Sequence, residues 1–577
     1  MRTDRTMILA GTLAGLLTAC TAPMEDKAAP IAQGASTQEE AGDSETIVVT
    51  GAAVRGNRAQ RDLRMTPPAP PPPPPPAMMV QSAMPAIMGE AHRLPPRYYD
   101  QGRDKFSDVE QNTFKAVNAE PVSTFSIDVD TASYGFVRAS LDRNVLPTPD
   151  AVRTEEMVNY FRYDYPNAAS REQPFSTSVN VFPSPWTDGR KVVRVGIKGY
   201  DLPAAELPRA NLVFLIDTSG SMNAPNKLPL VKQSLLMLLD RLDADDHVAI
   251  VTYAGGAGTA LPPTPVRDKA RIAAVIEMLG AGGSTAGAEG IRQAYALAAR
   301  NLDPEGVNRV ILATDGDFNV GITNPEELKG YVEREREKGV FLSVLGFGMG
   351  NYNDALMQTL AQNGNGNAAY IDTVNEARKT MVEEATSTLF PIAKDVKIQV
   401  EFNPATVAEY RLIGYETRML KREDFDNDKV DAGEVGSGQS VTALYEIVPV
   451  GGPRALGDLR YGDKAPAGRT ASSEYGFVKI RYKQPDASTS KLLSTPIDRS
   501  REVASFEAAP RDARFATAVA SFAELLRGGR YTGAMTYDDV LTMVGSARGT
   551  DEYGYRAEFV QMVRGAKTAS SMARLGE

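Results

Sequence analysis

Leu212-Val213-Phe214-Leu215-Ile216-Asp217-Thr218-Ser219-Gly220-Ser221-Met222 passes without a break from apolar side chains to short, oxygen-bearing ones. The apolar half does not alternate, so it reads as a strand buried on both faces, as inside a parallel sheet. Residues 228–242 follow with the apolar periodicity of a helix packed on such a sheet. Working outward, 248–253, 310–313, 340–347 and 368–371 read as further strands, and 269–279, 288–299, 354–362 and 374–389 as helices. Asn324-Pro325 opens one more helix, with Glu327 spaced for a capping box. The alternation runs from about 208 to 393 and predicts an α/β fold with a doubly wound, mostly parallel sheet.

In sheets of this kind ligands bind beyond the carboxyl ends of the strands. Three polar clusters fall there: Asp217 to Met222, Gly282-Gly283-Ser284-Thr285 on a glycine-rich turn, and Thr314-Asp315-Gly316. One cluster alone is explained by turn and helix-cap hydrogen bonds, which Ser and Asp make readily. Three at one edge point to a bound cation. The pattern Asp217-x-Ser219-x-Ser221 with Thr285 and Asp315 resembles the metal-ion-dependent adhesion site of von Willebrand factor type A domains, all five positions being filled by matching residue types. The resemblance implies that Ser219 and Ser221 coordinate through their hydroxyls and Thr285 directly or through water. Asp217 and Asp315 would act largely through water, or hold the waters and hydroxyls in place. It also implies Mg2+, or Mn2+ or Ca2+ in its place, and a partner protein whose acidic residue completes the coordination. An all-oxygen, partly hydrated site suits Mg2+, which keeps several waters. Neutral hydroxyls leave the ion poorly neutralised and open to an incoming carboxylate.

Composition narrows the alternatives. The chain has 577 residues, a length for several domains, with 42% hydrophobic and 24% charged residues. A net charge of −10 argues against a nucleic-acid partner. Cys20 is the single cysteine, and His92 and His247 are the only histidines, so an intrachain disulfide is impossible and zinc or Ser-His-Asp chemistry has little raw material. A metal-assisted hydrolase needs a general base near a substrate water. Glu289 is the nearest spare carboxylate in sequence and is expected to face solvent. The expectation is therefore a binding module and not an enzyme, with an envelope scaffold bearing a purely structural metal as the alternative and a hydrolase behind both. Gly346-Phe347-Gly348-Met349-Gly350-Asn351 lacks the full dinucleotide-loop spacing and reads as a rim loop of the same site.

The N-terminus reads as an export signal: Arg2 and Arg5, an apolar stretch over 7–17, then Leu17-Thr18-Ala19-Cys20. The last four residues resemble the lipobox of bacterial lipoproteins, which implies removal of 1–19, acylation of Cys20 and a lipid anchor in the cell envelope, at the outer membrane where one exists. Residues 20–108 read as a disordered tether, with a polyproline II rod at Pro70 to Pro76. Inside it, Glu45-Thr46-Ile47-Val48-Val49-Thr50-Gly51 is similar to the segment by which outer-membrane receptors pair with an energy-transducing protein. The simpler reading of Ile47-Val48-Val49 is an incidental apolar island.

The flanks divide into 109–207 and 394–577. Runs at 175–199 and 396–449 read as strands, expected to pair into one β-sandwich that receives the 208–393 domain as an insertion. Helical patterns at 515–526, 537–544 and 555–563 predict a small helical part. Asp424-Phe425-Asp426-Asn427-Asp428 imitates the start of a calcium loop, but Lys429 and Val435 stand where glycine and glutamate belong, so it reads as a charged hairpin tip. The runs 126–134 and 153–161, with 353–360 and 431–434, resemble a bacterial lipoprotein family that carries a central type A domain between its own N- and C-terminal domains.

Overall fold

Ala210–Asp217 is a central strand of a six-stranded sheet, flanked by Val307–Thr314 and His247–Tyr253. Val340–Phe347 and Ala368–Ile371 extend the sheet on one side in parallel, and Ala257–Pro265 closes the other side antiparallel. The computed structural model describes residues 104–127, 129–282, 287–316, 325–349, 352–457 and 473–575. Cys20, the signal reading, the tether reading as far as residue 103, His92, the Ile47-Val48-Val49 island and Thr285 lie outside the described residues. The tether does not run to 108 as expected: the Lys105 amide donates to the Tyr352 carbonyl at 2.9 Å and Phe106 packs edge-on against Phe136, so these residues are held by the fold.

The unbroken apolar run is explained by two covers. Val213 and Leu215 pack with Ile291, Ala294 and Tyr295 of the helix Gly287–Arg300. Leu212, Phe214 and Ile216 pack with Val231 and Leu235 of the helix Leu228–Leu239 on the other face. Alternate side chains of one strand thus enter two different cores, as period-two pleating requires.

Two further sheets enclose a separate core. The first runs in the order Lys115–Ala116, Val407–Ile413, Ser440–Pro449, Lys191–Gly199, Phe175–Pro183, all antiparallel. The second joins Gly433–Gly436, Pro391–Phe402, Glu474–Lys483 and Lys491–Asp498, with Val122–Ser126 also on Pro391–Phe402. Val179, Val195 and Ile197 of the first share a core with Ile398, Val400 and Val478 of the second. Strands from before and after the α/β sheet therefore build one sandwich, and the α/β sheet is an insertion in it. The helices Arg511–Leu526, Tyr537–Ala547 and Tyr555–Leu575 share a fourth core with Tyr134 of the helix Ala132–Leu141, Met157 of Thr154–Asn159 and Phe161 just beyond it.

Several elements differ from the sequence expectation. Ala257–Pro265 is a strand although Gly258, Pro262 and Pro263 suppress the strand signal; it is an edge strand with two register shifts, where proline is tolerated. The helix expected at 374–389 is instead Val374–Arg378, a π-turn Lys379–Glu383 and Ala385–Leu389. The wide turn carries a buried Lys379, which pairs with Glu384 and lies 4.2 Å from the centre of the Tyr160 ring. Periodicity cannot report such a tertiary contact. The last helix extends to Leu575, well beyond 563, and the two short N-terminal helices carry no clear period of their own.

Gly366 shows how tightly the sheet is closed at its 368–371 edge. A β-carbon there would lie 1.9 Å from the Leu342 carbonyl oxygen, backbone that cannot move aside. Gly366→Ala is expected to cost about 1–3 kcal/mol, read as a lower urea midpoint with an unchanged m-value; an unchanged midpoint would refute the close approach.

Candidate metal centre

Parallel register brings the site together. Asp217 ends its strand opposite Tyr253, and Ile216 lies opposite Ala313, so Thr314 and Asp315 emerge at the same edge. Beyond Asp217 the chain turns back on itself: the Ser219 amide donates to Asp217 Oδ1 at 2.8 Å, and the Met222 amide donates to the Ser219 carbonyl at 3.0 Å. This tight turn holds Ser219 Oγ and Ser221 Oγ 3.0 Å apart. The Gly282 amide donates to the Thr218 carbonyl at 2.7 Å, which ties the glycine-rich turn to the first loop. The described residues thus place four of the five expected ligands, Asp217, Ser219, Ser221 and Asp315, on neighbouring segments of one strand edge.

Asp217 is fully buried, and its Oδ2 accepts no hydrogen bond of good geometry. Burial is the main reason the carboxyl is pushed up to about 6; the hydrogen bonds from Ser219 pull it down, and the Asp315 carboxylate adds to the rise. The Tyr253 phenol is raised chiefly by burial, then by the Asp217 carboxylate and, to a smaller extent, by Asp315. Asp315 is equally buried and receives the Lys227 ammonium on Oδ2 at 2.8 Å.

These features fit a hard divalent cation. Two hydroxyls, a buried carboxylate oxygen that needs a donor or a cation, and a second carboxylate make an all-oxygen set. Among the described residues no group of three or more His, Cys, Asp or Glu is arranged to hold a metal. A cation held here would therefore need the Ser219 and Ser221 hydroxyls beside the two carboxylates.

The other candidates fall elsewhere or are already occupied. His247 opens its strand at the opposite end of the sheet from Asp217. Glu289 is exposed in the first turn of Gly287–Arg300. Asp428 accepts from Arg481 at 3.0 Å, so a cation of the chain itself occupies the false calcium loop. Gly348, in the rim loop, does reach the site: with φ +75° it packs directly against the Lys227 side chain. Lys227 itself was not singled out by the sequence, although its place just before the helix Leu228–Leu239 was a usable signal.

Comparison with known proteins agrees with this architecture. The model of the von Willebrand factor type A domain matches residues 211–384, one described as von Willebrand factor matches 100–194, and one described as Uncharacterized protein YfbK, C-terminal, matches 387–569. Human inter-alpha-trypsin inhibitor heavy chain H4 is 34% identical over 28% of this chain and 18% of its own length. Among solved structures, the von Willebrand factor type A protein from Catenulispora acidiphila is 16% identical, covering 70% of this chain and 91% of that one with a TM-score of 0.40. The protein YfbK of Escherichia coli K12 is 43% identical over 469 residues, which is 80% of this chain and 81% of the relative. With matches of that extent on both sides of its type A domain, the chain belongs to the YfbK family.

Proposed function

We propose that the type A domain binds a divalent cation, Mg2+ or, in its place, Mn2+ or Ca2+, and uses it to capture an acidic residue of a partner protein. The observation that carries this reading is the paired Ser219 and Ser221 hydroxyls beside a buried Asp217 oxygen that lacks a proper donor. When bound, the ion supplies a Lewis-acidic position for an outside carboxylate. The chain's residues do the rest: the hydroxyls and carboxylates hold and orient the ion and its waters, and the glycine-rich turn at 282 lets a partner approach closely. Binding without catalysis is the reading, because both site carboxylates would be engaged by the ion and Glu289 is exposed to solvent. The sequence at Cys20 supports an acylated, envelope-anchored protein whose tether lifts this face off the membrane. Among the described residues no helix is long and apolar enough to cross a membrane.

A pull-down from solubilised envelope in Mg2+ tests the reading. A partner retained by the wild type and lost both with Asp217→Ala and with EDTA is the expected result. The same partners retained in all three samples would refute metal-bridged capture.

A further inference from the structure

Lys227 is oddly placed for a surface lysine. Its side chain is 12% exposed, and its ammonium donates to Asp315 Oδ2, whose own side chain is fully buried. It stands at the N-cap of the helix Leu228–Leu239, where the helix dipole disfavours a cation. The loop after Val340–Phe347 is moulded to it: Gly348 adopts φ +75°, and a β-carbon there would lie 2.4 Å from Lys227 Cε. Helix-end electrostatics do not explain a lysine held in this position, and neither does surface solvation. The charge of the neighbouring site does.

We propose that Lys227 is the resident counter-cation of the metal site and sets its affinity for both the metal and the carboxylate. This rests on the metal-binding reading above. Among the described residues two carboxylates, Asp217 and Asp315, with one lysine give the site a net charge of −1. A divalent ion brings it to +1, whereas without the lysine it would be neutral. Like charges close together in a poorly hydrated site repel, so Lys227 weakens the hold on the metal. The same surplus of positive charge strengthens the attraction for an incoming anion. Lys227 thus exchanges metal affinity for carboxylate affinity, favouring capture of an acidic group over tight storage of the ion.

The test uses the full-length protein in detergent, with Mn2+ as the metal probe and acetate as the carboxylate probe. Mn2+ affinity is read by electron paramagnetic resonance, and acetate entry by its effect on water proton relaxation at the bound ion. Lys227→Met keeps the apolar stem and Lys227→Gln keeps a donor; both remove the charge, and Lys227→Arg retains it. Both neutral variants are expected to bind Mn2+ about tenfold more tightly or better and to require more acetate for the same relaxation change. Lys227→Arg is expected to resemble the wild type. Unchanged or weaker Mn2+ binding in the neutral variants, with near-UV circular dichroism like wild type, would overturn the role of Lys227 and leave the metal site standing. Absence of Mn2+ binding in the wild type would overturn the metal reading itself, and this inference with it.

Discussion

Asp217→Asn is expected to abolish divalent-ion binding and at the same time to make the metal-free protein more stable at pH 7. The carboxyl is fully buried, one of its oxygens lacks a proper donor, and burial lifts it from 3.8 to about 6. A carboxyl whose pKa is raised on folding binds its proton more tightly in the folded state. Its contribution is therefore fully favourable below about pH 4 and is lost as the pH rises through about 6. At pH 7 the ionised group costs the metal-free fold at most about 2–3 kcal/mol, which the neutral amide removes. In EDTA the variant should melt above the wild type at pH 7, and the gap should close as the pH approaches 4. Mg2+ at a thousand times its Kd should reverse the order, because it stabilises the wild type by about 4.1 kcal/mol and the variant by nothing. A variant that melts below the wild type in EDTA at pH 7, or that still gains from Mg2+, would contradict both the burial cost and the ligand role.

What was legible in the sequence was what is local. The 212–216 run announces a doubly covered strand because every side chain in it has an apolar neighbour on one face or the other, and the Asp217 to Ser221 turn is made by its own hydrogen bonds. The carboxyl ends of neighbouring parallel strands share one edge of the sheet, so the pattern alone sets the Asp315 cluster beside Asp217. The partnerships of charged residues were not legible. Lys227 pairs with Asp315, Lys379 with Glu384 inside a π-turn, and Asp428 with Arg481, and none of these follows from composition or period. They are chosen by which backbones meet in three dimensions. The same holds for the helical core: the helices after residue 511 read clearly from their pattern, but nothing in it says that they pack with residues 132–161. A proline-bearing edge strand such as Ala257–Pro265 is hidden for a different reason: only its neighbour His247–Tyr253 makes it a strand.

Arg138→Met is expected to produce the largest loss of stability of any single change outside the core strands, about 3–5 kcal/mol. Arg138 is 2% exposed on the helix Ala132–Leu141, and its guanidinium joins three parts of the chain. It forms a bidentate pair with Asp372, donates to Glu376 Oε2 at 2.7 Å and reaches Glu558 Oε2 at 2.8 Å on the last helix. Tyr160 completes the network by donating to Glu376 at 2.8 Å, while its ring stacks on Tyr134 with centres 3.5 Å apart. Asp372 and Glu376 are nearly as buried as the arginine, so removing it strands two carboxylates without their cation. The cost is that stranded charge, which distinguishes it from lost packing: adding Asp372→Asn and Glu376→Gln to Arg138→Met should recover much of the stability. Urea unfolding of the single and triple variants measures this directly. A triple variant no more stable than Arg138→Met would show that the methionine fails through packing. A wild-type midpoint in the single variant would show that the network holds nothing together. The expected recovery instead means that the type A domain is docked to its flanks by charges that are stable only as a set, one arginine serving the N-terminal helix, the end of the type A domain and the C-terminal helix together.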